Sequence, residues 1–307
     1  MRALVTGAAG FIGSNLALEL ARAGHEVVAL DDFTSANFAN LRDFSGDFVA
    51  ADLSDLASWA DRVGSVDAVF HQAAITDTTV SDQRRMLRAN VEAFRLLLRW
   101  AAEHGAARVV YASSAGIYGD GPVPMREDAP PRPLNVYAFS KRVMEKAAGD
   151  FARAHTGMRV VGLRYFNVFG PGERFKGPAA SMIWQLAGQM RAGKRPRVFE
   201  FGEQYRDFIY VKDVVRANLL AAAKAPSGVY NVCTGAKTTF NELIRMLNPV
   251  LGARLKTEYF KNPYPFYQNE TLGDPRRARK GFGFKAQYSA AEGIRDYLGA
   301  EEAFAQA

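Results

Sequence analysis

Residues 6–13 read Thr6-Gly7-Ala8-Ala9-Gly10-Phe11-Ile12-Gly13, a glycine triplet at G-x-x-G-x-x-G spacing between two different hydrophobic patterns. Before it, Arg2 to Thr6 is a short apolar run; after it, Ile12 to Ala23 repeats its apolar residues at a helical period and stops at Gly24. A second strand-like run, Glu26 to Leu30, follows. Strand, glycine loop, helix and strand make a βαβ unit. In such a unit Gly7 permits the tight turn, Gly10 lets backbone N–H groups approach a pyrophosphate, and Gly13 lets the helix lie close to the strand. The phosphates of a dinucleotide then rest at a helix N-terminus, where free N–H groups and the helix dipole favour negative charge.

Working outward, strands are expected at Asp67 to His71, Ala107 to Ala112 and Met158 to Arg164, with helices over Val91 to Glu103 and Tyr137 to Ala154. This alternation predicts an α/β fold, a doubly wound parallel sheet covered by helices on both faces. From about Phe169 the rhythm breaks into glycine- and proline-rich pieces with a helix near Ala180 to Ala192. The expected organisation is a dinucleotide-binding domain over 1–168, to which parts of the later chain return, and a smaller substrate-binding domain mainly over 169–307. Glu301 to Ala307 is expected to be a frayed helical end.

Asp31, at the end of the second strand, is placed to accept hydrogen bonds from the adenosine ribose. Its neighbour is Asp32, and no Lys or Arg lies between Asp31 and Leu41 to neutralise a 2′-phosphate, which predicts NAD, with NADP as the alternative. Asp52, in Ala51-Asp52-Leu53, has two readings: a cap on the adenine amino group, or the N-cap of a following helix.

Downstream, Tyr137-Ala-Phe-Ser-Lys141 sets a phenol and an ammonium at i and i+4, on one helix face. A phenol of pKa about 10 is a poor base at neutral pH, and lowering it by about three units requires roughly 4 kcal/mol of preferential phenolate stabilisation. The Lys141 ammonium and a positive nicotinamide ring can provide that field. Ser114, in Tyr111-Ala-Ser-Ser-Ala-Gly-Ile-Tyr-Gly119, falls at a strand end where a parallel sheet opens towards ligands, and its hydroxyl can hold a substrate oxygen. Together these residues predict an enzyme that oxidises an alcohol carbon and can return the hydride.

The bulk properties narrow the class. The 307 residues accommodate a large α/β domain with an appendage, and the single cysteine, Cys233, excludes a disulfide framework and a thiolate metal site, so no metal is expected. The strand at Arg2 to Thr6 leaves no room for a secretory leader, and no apolar stretch reaches membrane-spanning length, so the expected location is the cytoplasm, without a membrane partner. The formal charge of +7 is scattered, which speaks for an anionic small molecule and against nucleic acid. Its densest run, Arg276-Arg277-Ala-Arg279-Lys280, is expected to be a solvated surface.

With these motifs in hand, the chain resembles, over nearly its whole length, the extended short-chain dehydrogenase/reductase superfamily of nucleotide-sugar enzymes. The resemblance implies a Rossmann domain with a small C-terminal substrate domain. It further implies that Phe11 and Ile12 flank the pyrophosphate, that Leu53, Gln72, Ala73, Ala74, Thr76, Asn90 and Val168 line the cofactor, and that Ser114, Tyr137 and Lys141 form the catalytic set. The stretches Pro133-Leu-Asn-Val-Tyr137, Arg164-Tyr-Phe-Asn-Val-Phe-Gly-Pro171, Lys176-Gly177, Val198-Phe-Glu200, Arg206-Asp-Phe208 and Tyr267-Gln268 look like the ADP-L-glycero-D-manno-heptose 6-epimerase branch.

In that branch a lysine at the position of Lys176 is a second acid/base, and Asn167, Phe199, Glu200, Arg206 and Tyr267 contact the nucleotide sugar. Two acid/bases suit an inversion through a ketone, because the turned intermediate presents its oxygen to a different donor. The bland alternative for Lys176 is a loop lysine that meets only the diphosphate. The chain departs from the branch at Pro178, where a serine is usual, at Gln185, where a histidine is usual, and at Asn37, where an NADP-binding lysine is common. Pro178 and Gln185 are expected to touch substrate.

The resemblance also implies a homo-oligomer, with helix faces such as Val91 to Trp100 available to pack between subunits, and a role in lipopolysaccharide or related surface-glycan synthesis. Two competing readings remain. One is a UDP-hexose 4-epimerase, which does not need Lys176; the other is a cofactor-sensing protein without catalysis, which typically lacks the tyrosine or lysine that this chain keeps.

Overall fold

Alternate residues of each strand point to opposite faces, and here both faces are apolar. Ala3 and Val5 join one core, while Leu4 joins another; Val27 and Ala29 are split in the same way from Val28 and Leu30, and Phe70 from Val69. Such strands need a helical layer on each side. The computed structural model, which describes residues 1–78, 80–262 and 268–305, has that arrangement.

The strands of the main sheet are β1 (Arg2–Thr6), β2 (Glu26–Asp31), β3 (Asp47–Ala50), β4 (Ala68–His71), β5 (Arg108–Ser114) and β6 (Arg159–Tyr165). Four short strands follow outside it, β7 (Asn167–Phe169), β8 (Arg197–Phe199), β9 (Tyr205–Arg206) and β10 (Phe208–Tyr210), before β11 (Gly228–Val232) returns to its edge. The seven-stranded order is β11-β6-β5-β4-β1-β2-β3, parallel throughout. The chain leaves β1 towards β2 and later resumes at β4 on its other side. That reversal opens a crevice at the carboxyl ends of β1 and β4, where a doubly wound sheet takes its ligand.

Helices α1 (Phe11–Arg22), α2 (Ala60–Val63), α3 (Gln83–Leu87), α4 (Ala93–Glu103) and α5 (Val136–Ala154) belong to this half. Those of the later chain are α6 (Met182–Arg191), α7 (Val211–Lys224), α8 (Phe240–Val250), α9 (Arg276–Phe282) and α10 (Ala290–Ala305). Leu16 and Leu20 of α1 and Val214 and Ala221 of α7 cover one face of the sheet; Phe94, Leu97 and Trp100 of α4 and Met144 of α5 cover the other. A third core joins α6, α8 and α10 to β8 and β10, and reaches back to Phe11 at the start of α1.

Several expectations need correction. The apolar stripe from Val91 to Trp100 does not face outward for a second subunit: Val91, Phe94, Leu97 and Trp100 are at most 2 % exposed, and the Trp100 indole packs edge-on against Trp59. The stripe begins in a π-helical turn, Arg88–Glu92, that precedes α4. Asp52 does not cap a helix: its carboxylate accepts from the Ser54 amide in a local turn, and the next helical turn begins only at Leu56. The edge strand β3 is an addition to the expected set. The Arg276 to Lys280 run does form an exposed helical surface, with Ala278 alone turned into the core. Among the described residues, no helix is long and apolar enough to cross a membrane.

Candidate active site

The glycine loop is shaped by close approach. Gly7 has φ +66°, and a Cβ there would lie 2.5 Å from the Ala73 nitrogen, so the lack of a side chain lets the loop after β4 pass against the loop after β1. A Cβ on Gly13 would stand 2.0 Å from the Gly7 carbonyl oxygen, which explains why α1 can sit so near β1. Gly10 is the N-cap of α1, and no side chain caps it. The first-turn N–H groups are thus presented to the crevice as an anion site, a fit to the pyrophosphate of a dinucleotide.

At the other end of the crevice Asp31 is 7 % exposed and accepts from the Ala9 and Phe33 amides, while burial and the neighbouring Asp32 push its carboxyl up. A carboxylate has about four lone-pair sites, so capacity for ribose hydroxyls remains. Asp32 accepts from the Thr34 amide. Phe33, a non-glycine residue at φ +58°, stacks on Phe48 beside this pair.

Other expected cofactor positions act at different depths. Ile12 is half-buried between two cores, Leu53 is a core residue whose carbonyl receives the Trp59 indole, and Thr76 is exposed. The Gln72 amide is bound to Tyr165 and Asn218. Ala73 and Ala74 continue from it, half-buried. Asn90 is fully buried in the π-helical turn; it accepts from the Ile75 amide and donates to the Ile75 carbonyl and the Ser140 hydroxyl. It therefore fastens the 73–76 loop to α5. Val168 lies in β7, paired with β10.

Ser114 ends β5, accepts from the Gly116 amide, and is hydrogen-bonded to the Tyr137 hydroxyl. Asn135 caps α5 by accepting from the Ala138 amide, which brings Tyr137 into the first turn beside that strand end. Burial pushes the Tyr137 phenol up, and the Ser114 hydrogen bond partly opposes this. Lys141 follows one turn later, 1 % exposed, its ammonium donating to the Ala112 carbonyl at 2.8 Å and standing 5.8 Å from the Tyr137 ring centre. Burial lowers its pKa to about 7. Ser114, Tyr137 and Lys141 thus meet at the carboxyl end of β5, as expected, although burial offsets the lowering expected at the phenol.

Lys176 lies in a 3₁₀ stretch, Glu173–Ala179, with its ammonium 5.6 Å over the Phe11 ring at the entrance to α1. Burial lowers its pKa, and Glu173 opposes that. Sequence reasoning missed Glu173, which is fully buried and accepts from the Gly170 and Ser181 amides and the Ser181 hydroxyl. It ties both ends of the lysine-bearing stretch together. Gln185 adds a second tie, donating to the Pro178 and Ala180 carbonyls.

Among the remaining substrate candidates, Asn167 donates to the Asp207 carbonyl, and Arg206 donates to the Tyr205 and Asn269 carbonyls. Phe199 packs edge-on against Phe260. Glu200, at φ +50°, accepts from the Asn262 amide. Phe199, Glu200 and Tyr205 help to line a cavity of about 240 Å³. Tyr267 lies outside the described residues.

A doubly wound sheet with an uncapped helix N-terminus at its switch point, and a Ser/Tyr/Lys set beside it, defines a dinucleotide-dependent enzyme that works on an alcohol carbon. More particularly, the chain belongs to the NAD dependent epimerase/dehydratase family, which it matches over residues 3–233. It is 38 % identical to the ADP-L-glycero-D-manno-heptose-6-epimerase of Alkalilimnicola ehrlichii, with 97 % of this chain and 96 % of that protein covered. The crystal structure of the enzyme of that name from Helicobacter pylori is 39 % identical and superposes with a TM-score of 0.90, covering 98 % of this chain and 96 % of that one. The UDP-glucose 4-epimerase of Thermotoga maritima, solved with UDP-glucose, is 29 % identical with a TM-score of 0.92, covering 99 % and 100 %.

Proposed function

We propose that the protein is an ADP-L-glycero-D-manno-heptose 6-epimerase, a cytoplasmic, homo-oligomeric isomerase that works with tightly bound NAD and serves surface-glycan synthesis. The observation that carries this reading is a pair of half-buried candidate proton carriers on separate segments: Tyr137 in the first turn of α5, beside Ser114 at the carboxyl end of β5, and Lys176 over Phe11 at the entrance to α1. Identity to two proteins of that name, over nearly the full chain, supports the same choice. The dinucleotide would lie along Gly7, Gly10 and Gly13 with its ribose at Asp31 and Asp32, whose paired carboxylates favour NAD over NADP.

The chemistry supplied by bound NAD is acceptance of a hydride and its return. Ser114 holds the carbinol oxygen and Tyr137 removes its proton as the carbon becomes a ketone. Once the intermediate has turned, Lys176 would protonate the oxygen it presents on the other side. Arg206 and Asn167 would receive the nucleotide diphosphate and the sugar, with residues 1–168 holding the cofactor and most of 169–307 the substrate.

General acid–base groups contribute about 10²–10⁴-fold to rate. Tyr137→Phe and Lys176→Met are each expected to lower kcat at least a hundredfold with substrate affinity retained, as followed by NMR of the epimers. Wild-type turnover in Tyr137→Phe contradicts the reading. A change confined to KM in Lys176→Met reduces that lysine to a diphosphate contact.

A further inference from the structure

Lys141 is not the last charged residue on its helix face. One turn further along α5, Glu145 lies beneath it with its carboxylate 11 % exposed. That carboxylate accepts two hydrogen bonds from Arg164 of β6, at 2.8 and 2.7 Å, and a third from the Ser113 hydroxyl of β5 at 2.6 Å. Arg164 is itself 6 % exposed, with its guanidinium 4.7 Å over the Tyr118 ring. So Glu145 is held rigidly by the two strands that flank the catalytic edge, and Tyr137, Lys141 and Glu145 rise along one face at i, i+4 and i+8.

We propose that Glu145 is a positioning residue for the reaction, keeping the Lys141 ammonium charged inside the protein. An ammonium with 1 % exposure has lost nearly all its water, and among the described residues its hydrogen-bond partner is the Ala112 carbonyl. The groups packed around it from other elements supply little compensating charge. His71 of β4 is neutral, its pKa lowered to about 3 by burial and by Lys141 itself. Tyr111 of β5 and Tyr165 of β6 are pushed up by burial and are likewise neutral near pH 7, as is Tyr137 on the same helix until the positive nicotinamide is bound. Arg164 carries the same sign as Lys141. Glu145 is the carboxylate that raises the pKa of Lys141 against desolvation. Arg164 in turn fixes the Glu145 carboxylate in place through its two hydrogen bonds.

A purely structural role, stapling α5 to β6, predicts lost stability but no change in how Lys141 titrates. The test is the 13Cε resonance of Lys141 in the NAD-loaded protein, followed against pH and assigned by its loss in Lys141→Arg. An opposite charge within about 4–6 Å supports a charged form by about 1–3 pKa units. In Glu145→Gln the Lys141 titration is expected to fall by at least about one unit, driven also by the unopposed guanidinium. Because that variant buries an unpaired arginine, which lowers stability by itself, Glu145→Gln/Arg164→Met removes both charges; its titration is expected between the single variant and wild type. An unchanged Lys141 titration in the double variant overturns the proposal.

The proposal rests on Lys141 being the ammonium partner of Tyr137, and kinetics separate the two ideas. If Lys141 must be charged, the basic limb of kcat/KM moves to lower pH by the same amount as the titration. A shifted titration with an unshifted rate profile supports the role of Glu145 and contradicts that of Lys141.

Discussion

Lys141 illustrates how function can oppose stability at a single residue. Its pKa falls from 10.5 unfolded to about 7 folded, so burying its charge costs on the order of 5 kcal/mol at low pH. Between pH 7 and 10.5 the unfolded chain binds more protons than the folded one. The cost is therefore complete below pH 7, shrinks as pH rises, and is gone above 10.5. Lys141→Met, which removes the charge but keeps most of the volume, is expected to abolish epimerisation and to raise Tm by at least ~2 °C at pH 6.5. That gain should diminish at pH 9.5. Thermal unfolding at the two pH values checks it, and a Tm lowered equally at both would mean that the Ala112 hydrogen bond outweighs desolvation. Tyr137, Lys141 and Ser114 could be read from the sequence because their chemistry depends on spacing within one helix and at one strand end. Glu145 and Glu173 could not, since their importance comes from burial and from partners on distant segments.

At the scale of elements, the dinucleotide unit was legible because its constraints are local. A strand, three glycines and an amphipathic helix suffice to place β1 and α1, and the structure differs from that reading by a residue at each end of the helix. Gly13→Ala tests the unit directly. The added methyl would meet the Gly7 carbonyl at 2.0 Å, between two backbones that neither side can yield cheaply. NAD retention through purification is expected to be lost and Tm to fall, whereas Gly24→Ala, with no atom within 4 Å of the new methyl but φ +78°, should lower Tm modestly and leave NAD bound. Equal NAD content in the two variants would contradict the close-approach argument. The less legible elements are those without a period of their own. β3 is an edge strand with only Val49 fully buried, and β7 to β10 are two or three residues each, formed where the later chain folds back on itself.

Across the whole molecule, the reversal of strand order at β1 puts the carboxyl ends of β1 and β4 beside the glycine loop, and β5 brings the Ser/Tyr/Lys set to the same edge. The later chain then alternates between layers: α6 and α8 build the third core, while α7, β11 and α9 pack on the main sheet. The sequence reading expects parts of the later chain to return to the first domain, but not which parts, because the alternation that marks the first half has no counterpart after Phe169. Lys176, carried by a loop braced through Glu173 and Gln185, likewise comes from a different segment than Tyr137. In the proposed 6-epimerase reaction Tyr137 and Lys176 would each serve one orientation of the intermediate, whereas a 4-epimerase would not need Lys176. The decisive measurement is NMR of purified protein, with no cofactor added, given ADP-D-glycero-D-manno-heptose in one sample and UDP-galactose in another. Conversion of the heptose to its C6 epimer, with UDP-galactose unchanged, is the predicted result; conversion of UDP-galactose with the heptose unchanged would contradict it.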